Sequence, residues 1–207
     1  MYIPEHFAEA DPAEVGRLIH DHPLACVVGM TAEGLVANHL PLFLTPRRAL
    51  AGHVAIRNDM HRLMAEGQEV LAIFRGGEAY VSPNRYPSKA EHHRHVPTWN
   101  YQVVHVHGRI AFSHDDHDKR AAVALLTRDH ERRVNGAAAW KMADAPADYI
   151  AQMLAGIVAF RIEPVLVLAR SKLSQNRDAA DHAGVVADFE ARGQTELAAR
   201  MRRDREG

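Results

Sequence analysis

The chain is short of most of the features that assign a protein at a glance. It has one cysteine, Cys26, among 207 residues. No internal disulfide is therefore possible, and a lone thiol suits a reducing cytosol. No apolar run approaches the ~18 residues of a membrane span. The longest runs, Leu24–Met30 and Val165–Ala169, are of strand length. The opening MYIPEHFAEADPAE has neither the basic nor the apolar stretch of a secretory signal. A charge excess is missing too. Lys+Arg is 25 against Asp+Glu 26, a net charge of −1, which argues against a strongly basic nucleic-acid coat or an acidic tail. There is no internal repeat and no low-complexity linker. GxSxG, P-loop, HExxH and paired-cysteine spacings are all absent. What remains is the balance of a soluble globular protein, with 47% hydrophobic and 25% charged residues. We expect a cytoplasmic chain of one large domain, or one domain with an appendage.

Periodicity supplies the elements. Asp11-Pro12-Ala13-Glu14 opens a helix that Pro23 ends. Strands are predicted over Leu24–Met30, Leu35–Leu44, Ala49–Val54, Val70–Phe74, Ala79–Ser82, Tyr101–Phe112 and Ile157–Ala169. Gly76-Gly77 reads as a hairpin turn between the fourth and fifth strands. Pro164 marks an edge or a bulge in the last strand. A short helix carries Met60 and Leu63. Longer helices are predicted over Asp115–Val134, capped by Ser113, over Pro146–Ala155, over Asp181–Arg192 and from Thr195, with Gly193 as a stop. Consecutive strands on short turns pair antiparallel. The fold class is therefore mainly β with peripheral helices, as a small barrel.

Several segments can carry chemistry. Fifteen histidines invite a metal or haem. His105 and His107 share one strand face, and His92, His93, His95, Asp115, Asp116 and His117 stand in polar segments. No metal-ligand spacing joins them, so solvated or hydrogen-bonded histidines are the simpler account and no metal is assigned. Cys26 reads as a small buried hydrophobe. Arg57, leaving a strand for a helix start, can meet a phosphate with the helix amides, or is an ordinary exposed arginine. In Val96-Pro97-Thr98-Trp99-Asn100-Tyr101 the aromatics can wall a flat ligand and Asn100 can read its edge; equally, the segment can plug a barrel end. Lys172-Leu173-Ser174-Gln175-Asn176-Arg177 is a polar, basic run after the last strand, either an anion site or a solvated connection. The two tail helices, with Arg200, Arg202, Arg203 and Arg205, superficially suggest a helix-turn-helix and possible DNA binding, against a solvated terminal helix.

Taken in order, Met1-Tyr2-Ile3-Pro4, Asn38-His39-Leu40-Pro41-Leu42, Gly52-His53-Val54-Ala55, Ala79-Tyr80-Val81-Ser82-Pro83, Tyr86-Pro87-Ser88-Lys89, Val96–Tyr101, Met153–Phe160 and Lys172–Arg177 resemble the blocks of the PaiB-type FMN-binding negative transcriptional regulators. VPTWNY and KLSQNR are the specific ones. The resemblance covers nearly the whole chain. It implies an antiparallel, Greek-key-like split β-barrel over residues 1–175 with inserted helices, and a helical tail over 176–207 packed on it. It implies a homodimer with FMN at or near the subunit interface, and kinship with flavin reductases and pyridoxamine-phosphate oxidases. It makes Arg57 and Asn58 candidates for the FMN phosphate. Trp99, Asn100 and Tyr101 become the isoalloxazine wall, Lys172, Ser174 and Gln175 polar contacts, and Asn38 and His39 lining from the second strand. The expected function is that of an FMN-binding regulator. The alternatives are an FMN-dependent oxidoreductase of flavin-reductase type and a haem-binding or haem-degrading split barrel.

Overall fold

A computed structural model describes residues 1–206. In chain order the elements are α1 (Pro12–Asp21), β1 (Leu24–Thr31), β2 (Gly34–Pro41), β3 (Phe43–Leu44), β4 (Leu50–Ala55), α2 (Met60–Leu63), β5 (Glu69–Val81), α3 (Lys89–His92), β6 (Thr98–Ser113), α4 (Asp116–Asn135), α5 (Ala147–Ala155), β7 (Ile157–Lys172), α6 (Ala179–Ala191) and α7 (Thr195–Glu206). Among the described residues the seven strands form one sheet in the order β2-β1-β5-β6-β7-β4-β3. The pairings of β1 with β2 and β5, and of β4 with β3 and β7, are antiparallel.

Two compact units divide the chain. One comprises residues 1–18, 75–104 and 168–207, the other 19–74 and 105–167. In the first, Val81, Tyr86, Leu173, Val185, Phe189, Leu197 and Met201 close a hydrophobic core. In the second, Val27, Leu42, Leu50, Ala72, Phe74, Ile110 and Ile162 are buried.

Three expectations need correction. Gly76 and Gly77 make no hairpin turn, because β5 runs straight through them. Neither adopts a positive φ. Their use is close approach. A Cβ on Gly76 would lie 3.1 Å from Cβ of Gln102, and one on Gly77 would meet Leu197 at 3.5 Å. The long helix α4 is capped by Asp115, whose carboxylate accepts from the amides of His117 and Asp118, and not by Ser113. Ser113 instead donates to Asp118. Cys26 is half-buried rather than buried, because it alternates with the fully buried Ala25 and Val27 on β1. Pro164 does mark an edge: the pairing of β7 with β4 stops at Ile162. No helix among the described residues is long and apolar enough to cross a membrane.

Candidate functional site

In the second unit, Asn38 lies on β2 opposite Val27 of β1. Asn58 occupies the turn between β4 and α2. Its Nδ2 donates to Asn38 Oδ1 at 2.8 Å, and its Oδ1 accepts from the Met60 amide at 2.9 Å. One side chain thus closes the turn and orients the Asn38 amide. Arg57, next in chain, is exposed and forms no ion pair among the described residues. The helix-start amides expected beside it contribute little. α2 is four residues long, too short for an appreciable dipole, and its Met60 amide is already bonded. His39 is exposed. Neighbouring strand positions face opposite ways, so the structure brings Asn38, but not His39, to Asn58. His53 of β4 goes unassigned in the sequence analysis. Its Nδ1 is buried without a hydrogen-bond partner, and burial pushes the imidazole below the usual histidine range. A neutral ring with a free nitrogen is a ready contact for a ligand.

In the first unit the same alternation sorts the VPTWNY segment. Trp99 is 53% exposed and meets Tyr80 edge-on, with ring centroids 5.9 Å apart. Tyr101, on the same face of β6, carries the Arg170 guanidinium 5.3 Å from its ring centroid. Asn100 points the other way and is fully buried. Its Nδ2 donates to Ser174 Oγ at 3.0 Å, and Ser174 Oγ lies 3.2 Å from its Oδ1. The hydroxyl donates in one arrangement and accepts in the other. Ser174 is itself buried, in a left-handed conformation with φ 65°. Gln175 accepts from the Leu173 amide and donates to the Ser171 carbonyl. Asn100, Ser174 and Gln175 therefore spend their polar atoms on the bend after β7. Lys172 donates to Thr98 Oγ1 and the Trp99 carbonyl. Burial first, then the charges of Arg170 and Arg177, lowers its pKa. It holds the backbone that presents the indole. Asn100→Leu should therefore cost stability, about 1–3 kcal/mol for the unpaired polar group it leaves. Urea denaturation would read that loss, and an unchanged midpoint would remove the pinning role.

The sequence analysis missed a second cluster in this unit. Asp181 Oδ1 accepts from the Ser88 amide at 3.1 Å and Oδ2 from the Ser88 hydroxyl at 2.7 Å. His95 Nε2 lies 2.7 Å from Ser88 Oγ and 3.4 Å from Asp181 Oδ2. The residue types are those of a nucleophile triad, but the order is wrong. Asp181 binds the serine directly, so the imidazole does not stand between acid and nucleophile. The cluster anchors the segment from residue 83 to 98. Among the described residues no three metal-ligating side chains come together. His105 and His107 keep to one strand face. Burial is the main cause that lowers the pKa of His105, and the neighbouring His107 contributes least.

Of the tail arginines only Arg200 is buried; Arg202, Arg203 and Arg205 are exposed. Arg200 pairs with Glu9 and Glu14, each at 2.7 Å. Arg202 pairs with Glu190, and Arg205 donates to the carbonyls of Arg177 and Asp178. Of the four, Arg203 alone has no such partner among the described residues.

Comparison with known proteins meets this geometry. The chain is 29% identical over 193 residues to the "Protease synthase and sporulation protein PAI 2" of Bacillus subtilis, covering 92% of this chain and 89% of that one. It is 27% identical over 160 residues to an uncharacterized protein of Saccharomyces cerevisiae, covering 66% of this chain and 94% of the relative. Among solved structures it resembles the FAD and heme binding protein from Mycobacterium smegmatis. The TM-score is 0.61 at 17% identity, over 86% of this chain and 78% of that one. It also resembles the flavocytochrome Anf3 from Azotobacter vinelandii, with a TM-score of 0.63 at 13% identity over 88% and 78%. At such identities the likeness is one of fold, and that fold is the antiparallel split barrel expected from the sequence. Residues 1–164 match the family described as "Putative FMN-binding domain", and the chain belongs to that family.

Proposed function

We propose that this chain is a cytoplasmic, homodimeric FMN-binding protein acting as a negative transcriptional regulator of the PaiB type. The observation that carries the flavin assignment is the exposed Trp99 indole, presented by a backbone that Lys172 holds in place. A flat conjugated ring needs such an apolar wall, with few polar groups around it. Tyr101 extends the wall on the same strand face. Arg57 takes the phosphate by charge-assisted hydrogen bonds. Asn38, with Asn58 behind it, and the unpartnered His53 complete the donors of that unit. His39 remains a candidate from the other face of β2. Asn100, Ser174 and Gln175 act from behind, by fixing the bend. Bound FMN supplies reversible electron acceptance, tuned by the groups around its ring. Dimerisation is supported by Val165, Leu166 and Val167, three consecutive exposed apolar residues beyond the β4 pairing.

The visible spectrum of freshly purified protein tests the assignment. Flavin bands should survive removal of excess FMN. In Arg57→Gln the dissociation constant should rise roughly 10- to 100-fold, the worth of a hydrogen bond to a charged group. If no flavin is retained, the assignment fails. Rapid oxidation of reduced nicotinamide by the loaded protein would replace the regulator with a flavin-dependent oxidoreductase.

A further inference from the structure

The second unit holds a cavity of about 440 Å³ at the C-terminal end of α4, bordered by the segment from residue 136 to 142. Its wall includes Thr127, Arg128, Arg132, Trp140, Lys141 and Met142. None of the sequence blocks or flavin candidates falls in it. Three cations line it and no carboxylate does, in a chain whose net charge is −1. None of the three forms an ion pair among the described residues.

Arg128 and Arg132 stand four residues apart on one helix face, where like charges repel unless something lies between them. A cation in the last turn suits a helix C-terminus, which accounts for Arg132. It does not account for Arg128, which stands nearly two turns before the helix end at Asn135. The indole wall is held in place. Glu131 accepts from the Trp140 amide at 2.9 Å and from Asn135 Nδ2 at 2.7 Å. Asp129, next to Arg128, pairs with Arg133 and His20; both neighbouring acids are thus committed elsewhere and absent from the lining. Cations converging beside a fixed, part-exposed indole are the recognition chemistry of a planar aromatic ring bearing an anionic group. The volume suits a small molecule of nucleotide size.

We propose that this cavity is a second ligand site, separate from the flavin residues, for a phosphorylated aromatic small molecule. The ring stacks on Trp140 and the phosphate is clasped by Arg128, Arg132 and Lys141. Calorimetric titration of the full chain with AMP tests it. One AMP per chain should bind. Arg128→Gln/Arg132→Gln should weaken binding at least tenfold, and Arg57→Gln should leave it intact. Adenosine, lacking the phosphate, should bind at least tenfold more weakly than AMP. Both arginines are exposed on α4, so the double variant should fold, as circular dichroism would show. Lys141→Gln offers an independent single change expected to weaken AMP severalfold. Absence of AMP binding overturns the proposal. So does binding equal in the double variant, binding lost in Arg57→Gln, or equal affinity for adenosine. The flavin assignment can fail without touching any of these outcomes.

Discussion

Arg200→Leu should destabilise the protein by about 3–5 kcal/mol, the usual result of removing one partner from a buried ion pair. Arg200 is buried on α7, with 8% of its side chain exposed. It reaches Glu9 and Glu14 at 2.7 Å and Asp204 at 3.5 Å. Without it Glu14 keeps Arg17 at 2.9 Å. Glu9 keeps the Ser171 hydroxyl at 3.2 Å and the Asp11 amide at 3.3 Å but loses its cation, and becomes a buried charge without a counter-ion. Adding Glu9→Gln to Arg200→Leu should therefore recover part of the loss. Urea denaturation of the four proteins in that cycle gives the coupling directly. A single-variant loss below 1 kcal/mol would show that the pair is not needed. The network also sets a pH dependence. Burial works to raise the pKa of Glu14, but hydrogen bonds and charge from Arg17 and Arg200 outweigh it and leave it lowered. A folded value below the unfolded one adds stability that is present above the unfolded pKa. That stability drains away as pH falls through the folded one.

Asp181→Ala should cost about 3 kcal/mol and loosen the segment from residue 83 to 98. The carboxylate takes both the amide and the hydroxyl of Ser88, and hydrogen bonds to a charged acceptor are each worth about 1.5–3 kcal/mol. Among the described residues no other acceptor replaces it for the Ser88 amide. His95 would keep Ser88 Oγ, Arg177 at 3.5 Å and the rings of Tyr86 and His92, 4.6 and 4.9 Å between centroids. Local opening should be the first visible effect. Lys89 and Arg94 lie in this segment, so trypsin should cut the variant there well before global unfolding. Cleavage at the wild-type rate would refute the anchoring role. Burial opposes ionisation of Asp181, but the two bonds from Ser88 and the nearby His95 and Arg177 leave its pKa lowered. By the same sign, its contribution holds at neutral pH and vanishes in acid, below the ordinary carboxylate range.

Local pattern made much of this architecture legible. Alternation in β6, the cap region of α1, the Gly193 stop and the helices of the tail are all local signals, and all are where periodicity puts them. At Gly76-Gly77 the sequence suggests a turn where the structure has a close approach, because the two look alike in sequence. What tells them apart is Gln102 and Leu197, which only the fold brings near. Asn100 reads as an edge reader in sequence because it is a polar residue between two aromatics, whereas the structure turns it inward onto Ser174. Strand alternation alone would have turned it inward, had the strand been started at Thr98 rather than Tyr101. The Ser88–His95–Asp181 cluster could not be foreseen, since its acid lies 93 residues along the chain from its serine. The cavity beside Trp140 was equally hidden, because a cation on a polar helix face ordinarily reads as solvated surface.

The division of the chain into interleaved stretches has a consequence for its birth. On a ribosome the unit built from residues 19–74 and 105–167 has all its sequence once residue 167 emerges. The other cannot finish until α7 appears, because Glu9 must wait for Arg200, 191 positions later. At about 5–20 residues per second that wait lasts roughly 10–40 s. During it, Glu9 and the strand segment carrying Trp99 are both made while their partners are still untranslated. A nascent chain stalled shortly before residue 200 should therefore carry one finished half and one unfinished half, and be a natural client for a chaperone.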